Sequence, residues 1–232
     1  MSIKPLPPLT RLLVVLLKVN VGVLAVAVIA DVYGWFEYSN LAPSVDASET
    51  FLPSDGVNLL LGLIQLLLAI FLGVTFLRWI YRANRNLHVL SSEPMAFSPG
   101  WAVGWYFIPI ANLFKPYQAM KEIWTVAHKG TPGGVSILGW WWFLWIVSNV
   151  LSRLTLKLAL RAEDTQSYTN SAIADAVSDG IDIILNVVAL VLVTVIARAY
   201  CVNYVEPCAA PNGGPATRLG SSEVTEGPPS VS

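Results

Sequence analysis

Long apolar runs alternate with polar segments along this chain. They cover residues 12–30, 57–77, 135–152 and 183–200. At about 1.5 Å per residue, even an eighteen-residue run reaches about 27 Å, close to the roughly 30 Å hydrocarbon core of a bilayer. The pattern predicts four transmembrane helices. Polar positions inside the runs are sparse: Lys18 and Asn20 in the first and Gln65 in the second. Lys18 is expected to snorkel towards an interface. Gln65 is expected to form a helix–helix hydrogen bond, with Gly62 and Gly73 permitting close packing nearby.

Between the second and third runs lies a segment that a simple anchor does not need, residues 97–129. Residues 101–114 are apolar but too few for a straight crossing. Pro109 removes a backbone donor and kinks any helix through it, and Asn112 puts an amide beside the break. Pro116 suits the first turn of a new helix. From there Tyr117, Met120, Ile123, Trp124 and Ala127 share one face, away from Gln118, Glu122 and Thr125. The expectation is a re-entrant half-helix followed by an interfacial helix. The alternative is a kinked fifth span.

Composition agrees with a membrane protein. Of 232 residues, 55% are hydrophobic and 12% charged, about half the charge of a soluble globule. The net charge of −1 offers no field for nucleic acid. Lys4 and Arg11 precede the first run, residues 31–56 contain acidic side chains without Lys or Arg, and Arg78, Arg82 and Arg85 follow the second run. The positive-inside rule then puts the N-terminus in the cytoplasm and the acidic loop outside. Small residues at 25–27 resemble a signal-cleavage site, but the apolar run continues past them, so an uncleaved first helix is expected. Trp140, Trp141, Trp142 and Trp145 suit the inner boundary of the third span. Residues 1–205 read as one polytopic membrane domain. Residues 206–232, rich in Pro, Gly and Ser, read as a disordered tail. Of the two cysteines, Cys201 reads as a free thiol, with juxtamembrane acylation as the alternative.

The second hairpin carries opposed charges. Arg153, Lys157 and Arg161 recur on one helix face, and Asp175, Asp179 and Asp182 on another. An antiparallel register pairs Arg161 with Asp175, Lys157 with Asp179 and Arg153 with Asp182, and brings Asn149 to Asn186. This is a charge zipper that sets register; an ion or proton path is the alternative.

The run Gly100-Trp101-Ala102-Val103-Gly104, then Phe107, Pro109, Asn112-Leu113, Pro116 and Ile123-Trp124, resembles the signature of a bacterial multi-pass membrane family catalogued as domain of unknown function 4328. The basic stretch from Arg78 to Asn86 resembles that family's lead-in. The resemblance covers roughly residues 10–205. It implies a bacterial plasma-membrane protein and carries over no activity, cofactor or partner.

Catalytic chemistry is poorly represented. His88 and His128 are isolated, and no metal-ligand spacing, nucleophile triad or phosphate loop is present. No enzyme, cofactor or metal is expected. The candidate binding or structural motif is Arg78, Arg82, Asn86, Trp101, Trp105, Pro109, Asn112, Pro116, Glu122 and Trp124. Arg78, Arg82 and Arg85 read as positive-inside anchors in contact with headgroups; the alternative is a pocket in which they converge with Asn112 and Glu122 on an anion or lipid headgroup. Two functions follow. One is a non-catalytic accessory, scaffold or sensor that binds lipid, a partner membrane protein or a second copy. The other is a small transporter or channel whose broken central segment lines the path.

Overall fold

The computed structural model describes residues 6–42, 50–130 and 134–204. The described chain is all-α: α1 (Pro7–Ser39), α2 (Pro53–Leu90), α3 (Pro99–Gly104), 3-10 turns at Trp105–Phe107 and Ala111–Leu113, α4 (Lys115–Ala127), α5 (Val135–Ala159) and α6 (Thr165–Tyr204). The four long helices are each long and apolar enough to cross a membrane. They outrun the apolar stretches that predict them. The 40 residues of α6 span about 60 Å, twice the hydrocarbon thickness, so its polar N-terminal half projects beyond the core. The disordered-tail expectation, Cys208 and residues 43–49 of the acidic loop lie outside the described residues.

Helix starts follow local chemistry. Pro7 and Pro53 open α1 and α2, where a missing N–H costs nothing. Asp55 in the first turn of α2 accepts the Leu52 N–H at 2.8 Å and the Tyr38 hydroxyl at 2.7 Å, and Glu37 accepts the Ser54 N–H at 3.0 Å. Two of the loop's acidic residues thus serve the positive start of a helix. Asp164 caps α6 by accepting the Ser167 N–H at 2.8 Å.

Side-chain pairs set the topology. Asn20 with Asn186 and Tyr38 with Tyr168 make α1 and α6 antiparallel. Gln65 with Asp179 and Asn86 with Tyr200 are both 114 residues apart, so α2 and α6 are parallel. The short α5–α6 connection makes those helices antiparallel. The end of α2, the start of α5 and the end of α6 therefore share one end of the bundle, hereafter the α4 end. The chain returns to the end it left, and the fifth-span alternative fails.

The main seams are α1 on α6, α5 on α6 and α1 on α2. Among the described residues, no seam of comparable extent joins α2 to α5. The central segment occupies the α4 end of the gap between them. There α3 lies along α2, Trp142 Nε1 of α5 donates to the Leu113 carbonyl at 3.0 Å, and α4 closes the end of the bundle. The apolar face of α4 is the predicted one, with Met120, Ile123, Trp124 and Ala127 all buried. It packs on α2, α5 and α6 rather than facing lipid, because these three helix ends offer it a closer apolar surface than headgroups do. Asn203 Nδ2 and the Tyr204 hydroxyl donate to the carbonyls of Ala127 and Val126 at 2.9 and 2.7 Å, closing its C-terminal turn.

The rest of the apolar surface faces outward. Only 6% of the most apolar window of α2 is buried, and Leu66, Leu67, Ile70 and Phe71 are exposed. An apolar surface this continuous belongs in hydrocarbon. Two details depart from expectation. A Cβ added at Gly62 or Gly73 would meet nothing within 4 Å, so neither glycine mediates a close helix approach. Trp141 and Trp142 are buried in the core rather than at an interface, which only Trp140 among the three adjacent indoles faces openly.

Candidate functional site

Polar side chains from all four long helices gather in the interior. The ladder at the end opposite α4 begins with Asp175, which lies beside the side chains of Thr155 and Ser171. Asp179 Oδ2 accepts from Gln65 Nε2 at 2.9 Å. Asp182 lies beside Ser148, and its Oδ1 is buried without a partner. Asp31 of α1 joins this group near Asp175 and Asp179. It is 7% exposed, and its Oδ2 is likewise unpartnered. The sequence pattern places Asp31 in a solvated loop, but α1 continues to Ser39 and carries it inside.

The zipper does not form. The aspartates bond to neutral groups, while Arg153, Lys157 and Arg161 stand exposed. Antiparallel packing is as expected, but Asp182 lies opposite Ser148 and Asp175 opposite Thr155. Thr155 and Arg153 are two residues apart, about 200° around a helix, so presenting one to α6 turns the other away. Asn149 donates to the Trp145 carbonyl at 2.7 Å, and Asn186 pairs with Asn20 instead.

One step further towards α4 the ladder opens into a cavity of about 340 Å³. It occupies the space that α2 and α5 leave between them, on a floor of α1 and α6. Asn20, Ser148, Asn149, Asp182 and Asn186 supply its polar wall, and Phe76, Trp141 and Trp145 supply an aromatic one. Tyr106, from the broken segment, closes the α4 side with a buried hydroxyl that has no partner. Gly73 lines the same cavity, and its missing side chain leaves room there.

The predicted motif residues disperse. Asn86 is buried and donates to the Tyr200 hydroxyl at 3.2 Å. Glu122 accepts the N–H groups of Ala96 and, at 3.1 Å, Phe97, pinning the entrance of the central segment to α4. Asn112 donates its backbone N–H to the Ile108 carbonyl at 2.7 Å, while its Oδ1 has no partner. Pro109 is exposed at the bend, and Pro116 is buried in the first turn of α4. Trp101 packs on Trp105 with centroids 4.6 Å apart, and Lys115 Nζ lies 5.7 Å from the Trp105 ring. Trp124 stacks on His128 at 4.3 Å. Arg78 and Arg82 line a separate cleft of about 400 Å³ between α2 and α3, with Tyr81 and Val103. The arginines, Asn112 and Glu122 therefore do not converge on one ligand.

Sequence reasoning missed Tyr106 and Asp31 and gave Asn20 no role beyond an odd polar residue. The signal to be read was polarity at a position otherwise surrounded by apolar residues, which is costly in a bilayer and marks function by default. Asn84 belongs with them: it is fully buried, and neither side-chain atom has a partner.

No curated protein and no solved structure matches the chain. A family model described as a domain of unknown function (DUF4328) matches residues 44–198. The match takes in α2, the whole central segment, α5 and most of α6, and leaves out α1, which supplies Asn20 and Asp31. With most of its length and its Trp-, Pro- and Asn-rich centre matched, this membrane protein belongs to the DUF4328 family.

Proposed function

We propose that this chain is a small, non-catalytic solute-binding and transport protein of a bacterial plasma membrane, with the cavity between α2 and α5 as its solute site. The observation that carries the reading is the composition of that cavity. Polar groups of α1, α5 and α6 meet Tyr106 of the broken segment within otherwise apolar helices. Irregular backbone at membrane depth is tolerated where it lines a cavity, and transporter sites use such segments. The central segment is tied to α5 through Trp142, and its Tyr106 borders the site.

Orientation follows from charge. Arg11, Arg78, Arg82, Arg85, Lys115 and Lys121 cluster towards the α4 end, against Arg153, Lys157 and Arg161 at the other. This balance supports a cytoplasmic α4 end and a cytoplasmic N-terminus. The test is solute flux into liposomes carrying the purified chain. Uptake from a panel of small polar solutes is expected, falling strongly in Tyr106→Phe or Asn149→Ala. A chain that reconstitutes as a folded protein yet moves none of them overturns the proposal.

A second reading, a module that binds lipid, draws on the cleft beside Arg78 and Arg82. Its apolar wall of Val74, Leu77 and Val103 beneath two guanidinium groups suits a phospholipid with an anionic headgroup.

A further inference from the structure

We infer that the cavity between α2 and α5 takes a small organic cation of the ammonium type, held by the Asp182 carboxylate and by aromatic ring faces. The inference rests on the reading that this cavity is a solute site and specifies its ligand.

Charge is the first reason. Asp182 lines the cavity, and no Lys, Arg or His does so among the described residues. The Ser148 side chain lies beside its carboxylate, and Oδ1 has no partner. The basic residues next along α5 are on its exposed face. Asp31, Asp175 and Asp179 stand further along the same interior. A buried carboxylate without a cation is costly, and a cationic ligand removes that cost.

Hydrogen-bond polarity is the second. Each of the three amides of the wall spends an N–H on the protein. Asn149 Nδ2 donates to the Trp145 carbonyl at 2.7 Å, Asn20 Nδ2 to Asn186 Oδ1 at 3.1 Å, and Asn186 Nδ2 to the Asp182 carbonyl at 2.7 Å. The oxygens of Asn20 and Asn149 remain as acceptors. A ligand that carries positive charge or donors matches these oxygens and the Asp182 carboxylate beside them.

Shape is the third. Phe76, Tyr106, Trp141 and Trp145 supply π-systems, and Phe76 and Trp141 lie 5.8 Å apart at 49° to one another. Ring faces attract alkylammonium groups, and the attraction grows as water is excluded. A volume of about 340 Å³ suits a solute of several heavy atoms rather than a bare metal ion. No group of three His, Cys, Asp or Glu among the described residues offers a metal its ligands.

Isothermal titration of the full chain in lipid nanodiscs provides the test. The probes are choline and its uncharged carbon isostere, 3,3-dimethylbutan-1-ol. Saturable choline binding is expected, at least about tenfold tighter than the isostere. Asp182→Asn, which keeps the size and removes the charge, is expected to weaken choline at least about tenfold with little effect on the isostere. Trp145→Leu should weaken choline and leave the folded state intact by circular dichroism. Equal binding of the two probes, or an Asp182→Asn variant that binds choline as well as the parent does, overturns the cation assignment while leaving a solute site in place. So does a chain that binds neither probe yet transports neutral or anionic solutes in liposomes. A chain that transports no solute of any charge overturns the underlying reading instead.

Discussion

Asn20 Nδ2 donates to Asn186 Oδ1 at 3.1 Å across the seam between α1 and α6. Both residues interrupt apolar runs, and each gives the other the partner that lipid withholds. The register of the helix pair follows from this contact, because a slip of one residue rotates either amide by about 100° into the surrounding apolar surface. In a double-mutant cycle of Asn20→Ala and Asn186→Ala, unfolding in detergent should show a coupling of about 0.6 kcal/mol, reaching at most about 1.7 kcal/mol.

The same measurement separates this register from a charge zipper. Arg153 and Asp182 share no contact, so Arg153→Ala should change stability by less than about 0.5 kcal/mol and add to Asp182→Ala without coupling. A strong positive coupling between those two would restore the zipper and displace the Ser148–Asp182 pairing.

Glu122 holds two adjacent N–H groups at the start of the central segment. Replacing it with Ala leaves both donors without their charged acceptor, and hydrogen bonds to charged groups contribute roughly 1.5–3 kcal/mol. Faster amide exchange at Ala96 and Phe97 is expected, with α1 and α6 unchanged. Uniformly faster exchange across the bundle would mean that Glu122 holds together the whole fold rather than this entrance.

Gly134 precedes α5 with φ of +70°, and a Cβ there would sit 2.9 Å from Trp124 Cζ2. Gly134→Ala should therefore lower stability by more than about 1 kcal/mol, since strain and clash act together. Gly62→Ala meets no neighbour within 4 Å and removes a flexible residue from a helix interior, so a gain of about 0.5–1 kcal/mol is expected. Thermal unfolding of the two variants in one detergent checks the opposite signs.

Asp164 lies in the connection between α5 and α6, and the hydrogen bonds it accepts from Ser167 hold its carboxyl below the usual carboxylate range. A depressed folded-state value means that the ionised cap stabilises the start of α6 above the ordinary carboxylate range, near pH 4, and that this contribution is lost as pH falls through the lower folded value. The protection of the Ser167 amide, relative to its unfolded-chain exchange rate at each pH, should fall across that acidic interval in the parent chain and stay constant in Asp164→Asn.

The hydrophobic pattern by itself determined the medium, the four long helices, the break at Pro109 and the apolar face of α4. Each is a property of one segment read against a fixed period or length. It also identified Gln65 as a residue in need of a partner. What only the tertiary structure decided is who meets whom. Spacing places Asp175, Asp179 and Asp182 on one face of α6, but whether that face looks at Arg153 or at Thr155 depends on how α5 is rotated, and packing of Trp141 and Trp142 into the core sets that rotation. The cavity is of the same kind. It exists because α2 and α5 stand apart while α1 and α6 close beneath them, an arrangement that no single segment encodes. Tyr106 gains its place there only through the return of the broken segment between α2 and α5.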